Sequence, residues 1–108
     1  MLYFIELLRA IWDKIKKFFV KVLNFVNNIV SFFRNPERLN KLKEDRDLIA
    51  VSIKDKLENG QFRVVNCLYD KVLEEVVEVE TDAIGIEAEK LDNDARQKFG
   101  NKDMIVLN

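Results

Sequence analysis

The first 33 residues carry apolar side chains at the spacing of an α-helix, and this pattern constrains the fold more than any other feature of the chain. Six of the eight phenylalanines lie in this segment. Apolar residues recur there in alternating steps of three and four, beside a second column with a seven-residue period. Such spacing is typical of an amphipathic helix with a broad apolar face. We therefore predict one helix over residues 2–34, which ends because Pro36 disfavours helical geometry at the preceding residue.

The predicted helix has two opposite faces. The apolar face, a candidate surface for membrane or self-association, comprises Phe4, Ile5, Leu8, Ile11, Trp12, Ile15, Phe18, Phe19, Val22, Phe25, Val26, Ile29, Phe32 and Phe33. The basic and polar face comprises Lys14, Lys16, Lys17, Lys21, Asn24 and Asn28.

This helix is too charged to cross a bilayer. Its longest run without a charge covers residues 22–33, whereas a span needs about 20 mostly apolar residues. A helix with aromatic side chains on one face and lysines beside them suits the membrane interface instead. Each lysine near anionic lipid contributes about 1 kcal/mol to the free energy of binding. We therefore expect an anionic membrane surface as a partner.

Two other interpretations of the apolar face remain open. The seven-residue repeat favours self-association, and the extra phenylalanine column suits a bundle of more than two helices. Alternatively, the face packs against the rest of the chain as an ordinary core. The sequence does not decide whether this face meets lipid, other copies or its own core.

Residues 36–60 are predicted to form a second helix, polar and amphipathic. Asn35 is a suitable N-cap and Pro36 a suitable first helical residue. Apolar side chains then share one face up to Gly60, a residue type that commonly ends helices.

The alternative for this region is a strand over residues 48–58 that leads into a hairpin turn at Asn59 and Gly60. The β-branched side chains at 51 and 53 favour this strand. The hairpin would place Asp55 on the same face as apolar residues, however, and this favours the helix.

The sequence pattern of residues 61–108 is typical of a small, acidic, antiparallel β-sheet. Short apolar or alternating segments separated by polar turns predict strands over residues 62–69, 75–80, 83–89 and 103–107. Between the last two, Asp92 or Asn93 can cap one short helix that Gly100 ends.

Charge is distributed unevenly along the chain. The formal net charge is −1, which argues against a dedicated nucleic-acid-binding protein. Residues 1–34 carry six basic against two acidic side chains, whereas residues 54–108 carry eight against thirteen. A basic, aromatic first part attached to an acidic remainder indicates a surface-binding segment.

No residue pattern indicates catalysis, a metal or a cofactor. Histidine is absent, which removes the commonest general base and metal ligand. The single cysteine, Cys67, is interpreted as a core residue, and the acidic side chains of residues 74–89 as a solvated surface. We predict no catalytic residues and identify no small-molecule substrate.

These patterns predict an α+β protein with three parts: an association helix (1–35), a second helix (36–60) and an acidic β-rich module (61–108). We expect a non-enzymatic, membrane-associating protein, homo-oligomeric, at the cytoplasmic side of a membrane, whose acidic module serves regulation or partner binding. The alternative is a soluble homo-oligomeric scaffold whose N-terminal helices form a bundle. The start of the chain does not resemble a signal peptide.

Overall fold

A computed structural model describes residues 2–107, with Leu2 described by its backbone only. The chain alternates short helices with strands. In chain order the elements are α1 (Leu2–Ile11), a 3₁₀ turn (Trp12–Lys14), β1 (Lys16–Leu23), a π-helical segment (Phe25–Val30), α2 (Ser31–Phe33), α3 (Pro36–Glu44), β2 (Leu48–Lys56), β3 (Phe62–Asp70), β4 (Glu75–Val77), β5 (Ala83–Leu91), α4 (Asn93–Phe99) and β6 (Met104–Val106).

The strands of the described residues form one six-stranded sheet in the order β1-β5-β3-β2-β6, and β4 pairs with the end of β3. All neighbouring strands are antiparallel except β1 and β5, which run parallel. The predicted α+β class is confirmed. The sheet is mixed, however, and not purely antiparallel, because the segment that joins it as β1 lies in the predicted N-terminal helix.

Helical segments cover both faces of the sheet, so the apolar side chains form two cores. The first core lies under the π-helical segment, α2 and α4; the largest of its fully buried side chains include Leu23, Ile29, Val64, Leu68, Ile86 and Phe99. The second core lies under α1 and the 3₁₀ turn, and it includes Leu8, Trp12, Val51, Ile53, Val65 and Cys67. The first 33 residues therefore contribute to both cores.

The helix predicted over residues 2–34 is not confirmed, because within it only α1, the 3₁₀ turn and the segment after Asn24 are helical. Between the last two of these, β1 pairs with β5 from Lys16 to Leu23. The apolar residues at 18, 20 and 22 also alternate at strand spacing, and aromatic and β-branched residues favour a strand once a partner strand is present. The pairing with β5, distant in the sequence, thus overrides the local helical pattern.

The helix predicted over residues 36–60 ends at Glu44, and the alternative strand is the one observed. Asp55, whose position on an apolar face favoured the helix, is buried on β2 beside Ile53. Its carboxylate accepts a hydrogen bond from the guanidinium Nε of Arg9 at 3.0 Å. This partner on α1 makes the buried charge tolerable. The turn to β3 spans residues 57–61 and is longer than the two-residue turn considered above.

Several locally encoded features are confirmed. The side chain of Asn35 accepts hydrogen bonds from the first turn of α3, and Asp92 caps α4 through the Ala95 amide at 2.8 Å. Gly100 ends α4 with a φ of 55°. The strand predicted over residues 75–80 is shorter than expected, since β4 ends at Val77 and Glu78 adopts a φ of 51°.

Candidate interaction surface

The fourteen residues of the predicted apolar face separate into three groups in the fold. Seven are buried: Leu8, Ile11, Trp12, Ile15, Phe25, Ile29 and Phe33. Three are half-buried: Phe4, Ile5 and Phe32. Four are exposed: Phe18, Phe19, Val22 and Val26. Most of the face therefore packs within the chain, which accounts for its width, and the exposed remainder is concentrated on and directly after β1.

β1 is an edge strand with an unusually exposed sequence. Among the described residues its only neighbour in the sheet is β5, and seven of its eight residues are not buried, Leu23 being the exception. Phe18 and Phe19, adjacent in sequence, expose 39% and 56% of their surface on opposite faces of the strand. Exposed aromatic side chains on an open edge strand are typical of an interaction site.

Three exposed lysines share this strand with the aromatic side chains. Within residues 2–107 none of them makes an ion pair with a carboxylate. Lys17 Nζ instead donates to the backbone oxygens of Trp12 at 3.0 Å and Ile15 at 3.2 Å. We define the basic–aromatic edge as Lys16, Lys17, Phe18, Phe19, Lys21 and Val22.

The asparagines of the predicted polar face have a local structural role. Asn24 Oδ1 accepts from the amide of Asn27 at 2.8 Å, and Asn28 Oδ1 accepts from the amide of Asn24 at 2.7 Å. Together they stabilise the start of the π-helical segment, as capping side chains do at helix N-termini. Lys14, at the end of the 3₁₀ turn, is exposed. The predicted polar face is thus divided among capping groups, Lys14 on the 3₁₀ turn and the lysines of β1.

Trp12 lies beside the basic–aromatic edge and is packed against β5. A Cβ placed on Gly85 of β5 would lie 2.7 Å from a ring carbon of Trp12, so the absence of a side chain there lets the indole lie across the strand. The guanidinium of Arg63 lies 4.7 Å from the centre of the same ring and 3.3 Å from the Glu87 carboxylate. An open groove of about 320 Å³ is lined by Trp12, Phe18 and Phe19, together with Lys17 and Glu87. The exposed aromatic side chains therefore lie next to a tryptophan that is packed against β5.

Sequence reasoning missed the ion pairs made by two buried carboxylates. Asp55 pairs with Arg9, and Asp82 pairs with Arg38 and Lys41. The hydrogen bond to Asp55 raises the pKa of Arg9, and the hydrogen bond to Asp82 raises the pKa of Lys41. These carboxylates therefore hold helices on the sheet. In the part of the chain that the structure describes, no three His, Cys, Asp or Glu side chains are grouped as a metal site.

Cys67 lies in the second core with its side chain fully buried, as predicted for a core residue. Burial raises the pKa of its thiol to about 12, because a thiolate is poorly solvated there. The thiol therefore stays protonated near neutral pH, where a nucleophilic cysteine would have to be a thiolate.

We expect the protein to lose stability as the pH rises above 9, the ordinary pKa of this thiol. Between pH 9 and about 12 an unfolded chain releases the Cys67 proton while the folded chain retains it. The free energy of unfolding then falls by about 1.4 kcal/mol per pH unit from this group. Urea unfolding across this range measures the slope, and the Cys67→Ala variant should show a shallower one. Equal slopes would contradict the assignment.

The comparisons with known proteins give no relative. Neither a protein-family model, nor a curated protein, nor a solved structure matches this chain. Among the described residues, no helix has the length and apolar character needed to span a membrane.

Proposed function

We propose that this is a non-enzymatic protein that binds the anionic, cytoplasmic surface of a membrane through its basic–aromatic edge. The observation that carries the proposal is the pair of exposed rings, Phe18 and Phe19, flanked by three lysines that have no carboxylate partner within residues 2–107. Aromatic rings enter the region between lipid headgroups and chains, and lysines beside them attract anionic lipid.

The expected contributions to the binding free energy favour reversible binding. Three lysines near an anionic surface contribute about 3 kcal/mol, at about 1 kcal/mol each. Two partly exposed phenylalanines add less than full burial of their side chains would, since each already contacts the protein. We therefore expect weak, salt-sensitive attachment of the folded protein.

This attachment differs from the insertion of a long helix. Leu8 and Ile11 on α1 are committed to the second core, so their transfer to lipid would expose that core to water. Contact through the side chains of β1 requires no such rearrangement. In this arrangement the acidic residues of the 61–108 module remain available for regulation or partner binding.

Co-sedimentation with vesicles tests the proposal. The protein should pellet with vesicles that contain phosphatidylserine, much less with phosphatidylcholine alone, and binding should weaken as salt is added. Substitution of Lys16, Lys17 and Lys21 by glutamine should weaken binding about 100-fold and reduce the salt dependence, because about 3 kcal/mol is removed.

A second variant separates the edge from other exposed apolar residues. Phe18→Ser with Phe19→Ser should clearly reduce pelleting. The matched control, Val72→Ser with Leu73→Ser, changes two residues of the β3–β4 turn that are even more exposed and should bind like the wild type. Equal loss in both variants, or equal binding to neutral and anionic vesicles, would overturn the proposal.

The alternative is a soluble homo-oligomer with a scaffold role. The open edge of β1 favours this alternative too, because an edge strand is a template for another strand. The lipid experiment separates the two functions, since a scaffold would remain in the supernatant with either kind of vesicle.

A further inference from the structure

The open side of β1 is the longest unpaired strand edge among the described residues. β1 has eight residues, whereas β6, at the opposite end of the sheet, has three. The outward amides and carbonyls of such an edge must bond to water or to another chain. The question is which extended segment best matches the side chains of β1.

We propose that β1 pairs antiparallel with β1 of a second copy, so that two sheets join into one across a two-fold axis at Val20. Around such an axis each residue faces a residue on the same face of the joined sheet. One face of β1 carries Phe18, Val20 and Val22, and the other carries Phe19 and Lys21. The axis can therefore lie at only a few positions, and charge distinguishes them.

Two of these positions oppose like charges. With the axis at Phe19, Lys17 of each copy would lie opposite Lys21 of the other. With the axis at Lys21, that lysine would lie opposite itself. Like charges directly across an antiparallel pair are destabilising. The lysines of the edge therefore exclude these two registers.

A third position, with the axis at Phe18, places apolar side chains opposite lysines. Val20 would lie opposite Lys16 of the second copy, and Val22 opposite Lys14. Neither valine would then gain an apolar neighbour across the interface.

An axis at Val20 gives favourable side-chain pairs between the two copies of β1. Phe18 then lies opposite Val22 twice, an aromatic against a β-branched side chain, and Val20 lies opposite its own copy. On the other face Phe19 lies opposite Lys21, where the ammonium can contact the ring. Every cross-strand pair in this central segment is favourable. We therefore assign a second copy of this chain as the partner that pairs with the open edge of β1.

The interface is small, so the dimer is expected to dissociate on dilution. From their exposures of 39% and 56%, Phe18 and Phe19 offer roughly 200 Å² of ring surface, taking about 200 Å² for each whole side chain. A stable interface buries about 800 Å² on each partner. Backbone hydrogen bonds of the paired strands supply the remaining attraction. Because lysines from both copies gather at this edge, added salt should strengthen the dimer.

This inference does not depend on lipid binding, and the two respond oppositely to salt. Dimerisation is measured in lipid-free buffer by sedimentation velocity over a range of protein concentrations. Lys16→Gln should leave the dimer intact or tighten it, although it should weaken binding to anionic vesicles. A dimer without lipid binding would refute only the proposed function, and lipid binding by a monomer would refute only the dimer.

Disulfide trapping tests the register. Val20→Cys should form a cross-linked dimer on mild oxidation, because opposite residues of an antiparallel pair lie about 4.5–5.5 Å apart at Cα, within the range of disulfides. Phe19→Cys and Lys21→Cys should each stay uncross-linked alone and cross-link when mixed. The native Cys67 is buried and does not interfere.

Loss of an apolar side chain at the edge supplies a test in which no residue at the axis changes. Val22→Ser, at an exposed position, removes the apolar neighbour of Phe18 twice in the dimer and should raise the dimer Kd about tenfold. Val106→Ser on the opposite edge strand should leave it unchanged. A wild-type monomer at the highest soluble concentration would overturn the proposal. Cross-linking by Phe19→Cys alone would overturn the proposed register. Pairing of the β1 edge only with a segment of another protein would overturn the proposal that a second copy is the partner.

Discussion

Replacing Asp82 with alanine is expected to lower the free energy of unfolding by about 3 kcal/mol. The carboxylate is buried beside β5, where Arg38 Nε lies 3.3 Å from Oδ1 and Lys41 donates to Oδ2. The side chain of Arg38 is only 15% exposed. Without Asp82 this guanidinium is left buried without its counter-charge. Urea unfolding, followed by circular dichroism, measures the loss.

A matched control separates this effect from the simple loss of an ion pair. Asp55 is equally buried, but the side chain of its partner Arg9 is 64% exposed, so Arg9 can be hydrated when Asp55 is replaced. Asp55→Ala should therefore destabilise the protein much less than Asp82→Ala. Equal losses would mean that the exposure of the cation does not decide the cost.

The second large effect is expected for Asn66, which lies fully buried in the middle of β3. Its Oδ1 accepts from the Ser52 hydroxyl, and its Nδ2 donates to the backbone oxygen of Asn28, each at 2.8 Å. Asn66→Ala removes the acceptor of the buried Ser52 hydroxyl and the side-chain donor to the Asn28 carbonyl. Loss of each hydrogen bond in this buried site costs about 1–3 kcal/mol, so we expect a total of about 3 kcal/mol.

The design of a double variant isolates the polar contribution. Asn66→Val together with Ser52→Ala replaces a hydrogen-bonded pair by apolar groups and should recover part of the loss. Asn101→Ala, at an exposed asparagine, should change stability by less than about 0.5 kcal/mol. Thermal and urea unfolding of the three variants give the comparison. A double variant less stable than Asn66→Ala would contradict the role assigned to this network.

Features that depend on a few adjacent residues could be predicted from the sequence. A short stretch of neighbouring residues encodes each of three such features: the Asn35 cap with Pro36, the Asp92 cap and the strand that contains Cys67. Caps and turns of this kind rest on hydrogen bonds between near neighbours. Local chemistry therefore suffices to place them.

The identities of β1 and β2 could not be predicted, because they are decided by distant partners. β1 is a strand because β5 is beside it, and Asp55 is acceptable on β2 because Arg9 reaches it from α1. The candidate surface was predicted only in part for the same reason. A face such as that of Phe18 and Phe25 is apolar whether it meets its own core or another surface, and only the fold shows that Phe25 is buried while Phe18 is exposed.

The parallel pairing of β1 with β5 also sets an order of events during folding. The hairpin of β2 and β3 closes a short loop and can form early, whereas Lys16 finds its partner Ile84 only after most of the chain exists. On a ribosome, the phenylalanine-rich segment therefore emerges well before β5, and β1 lacks its partner strand during that interval. Exposed apolar side chains in such incomplete chains are prone to aggregation.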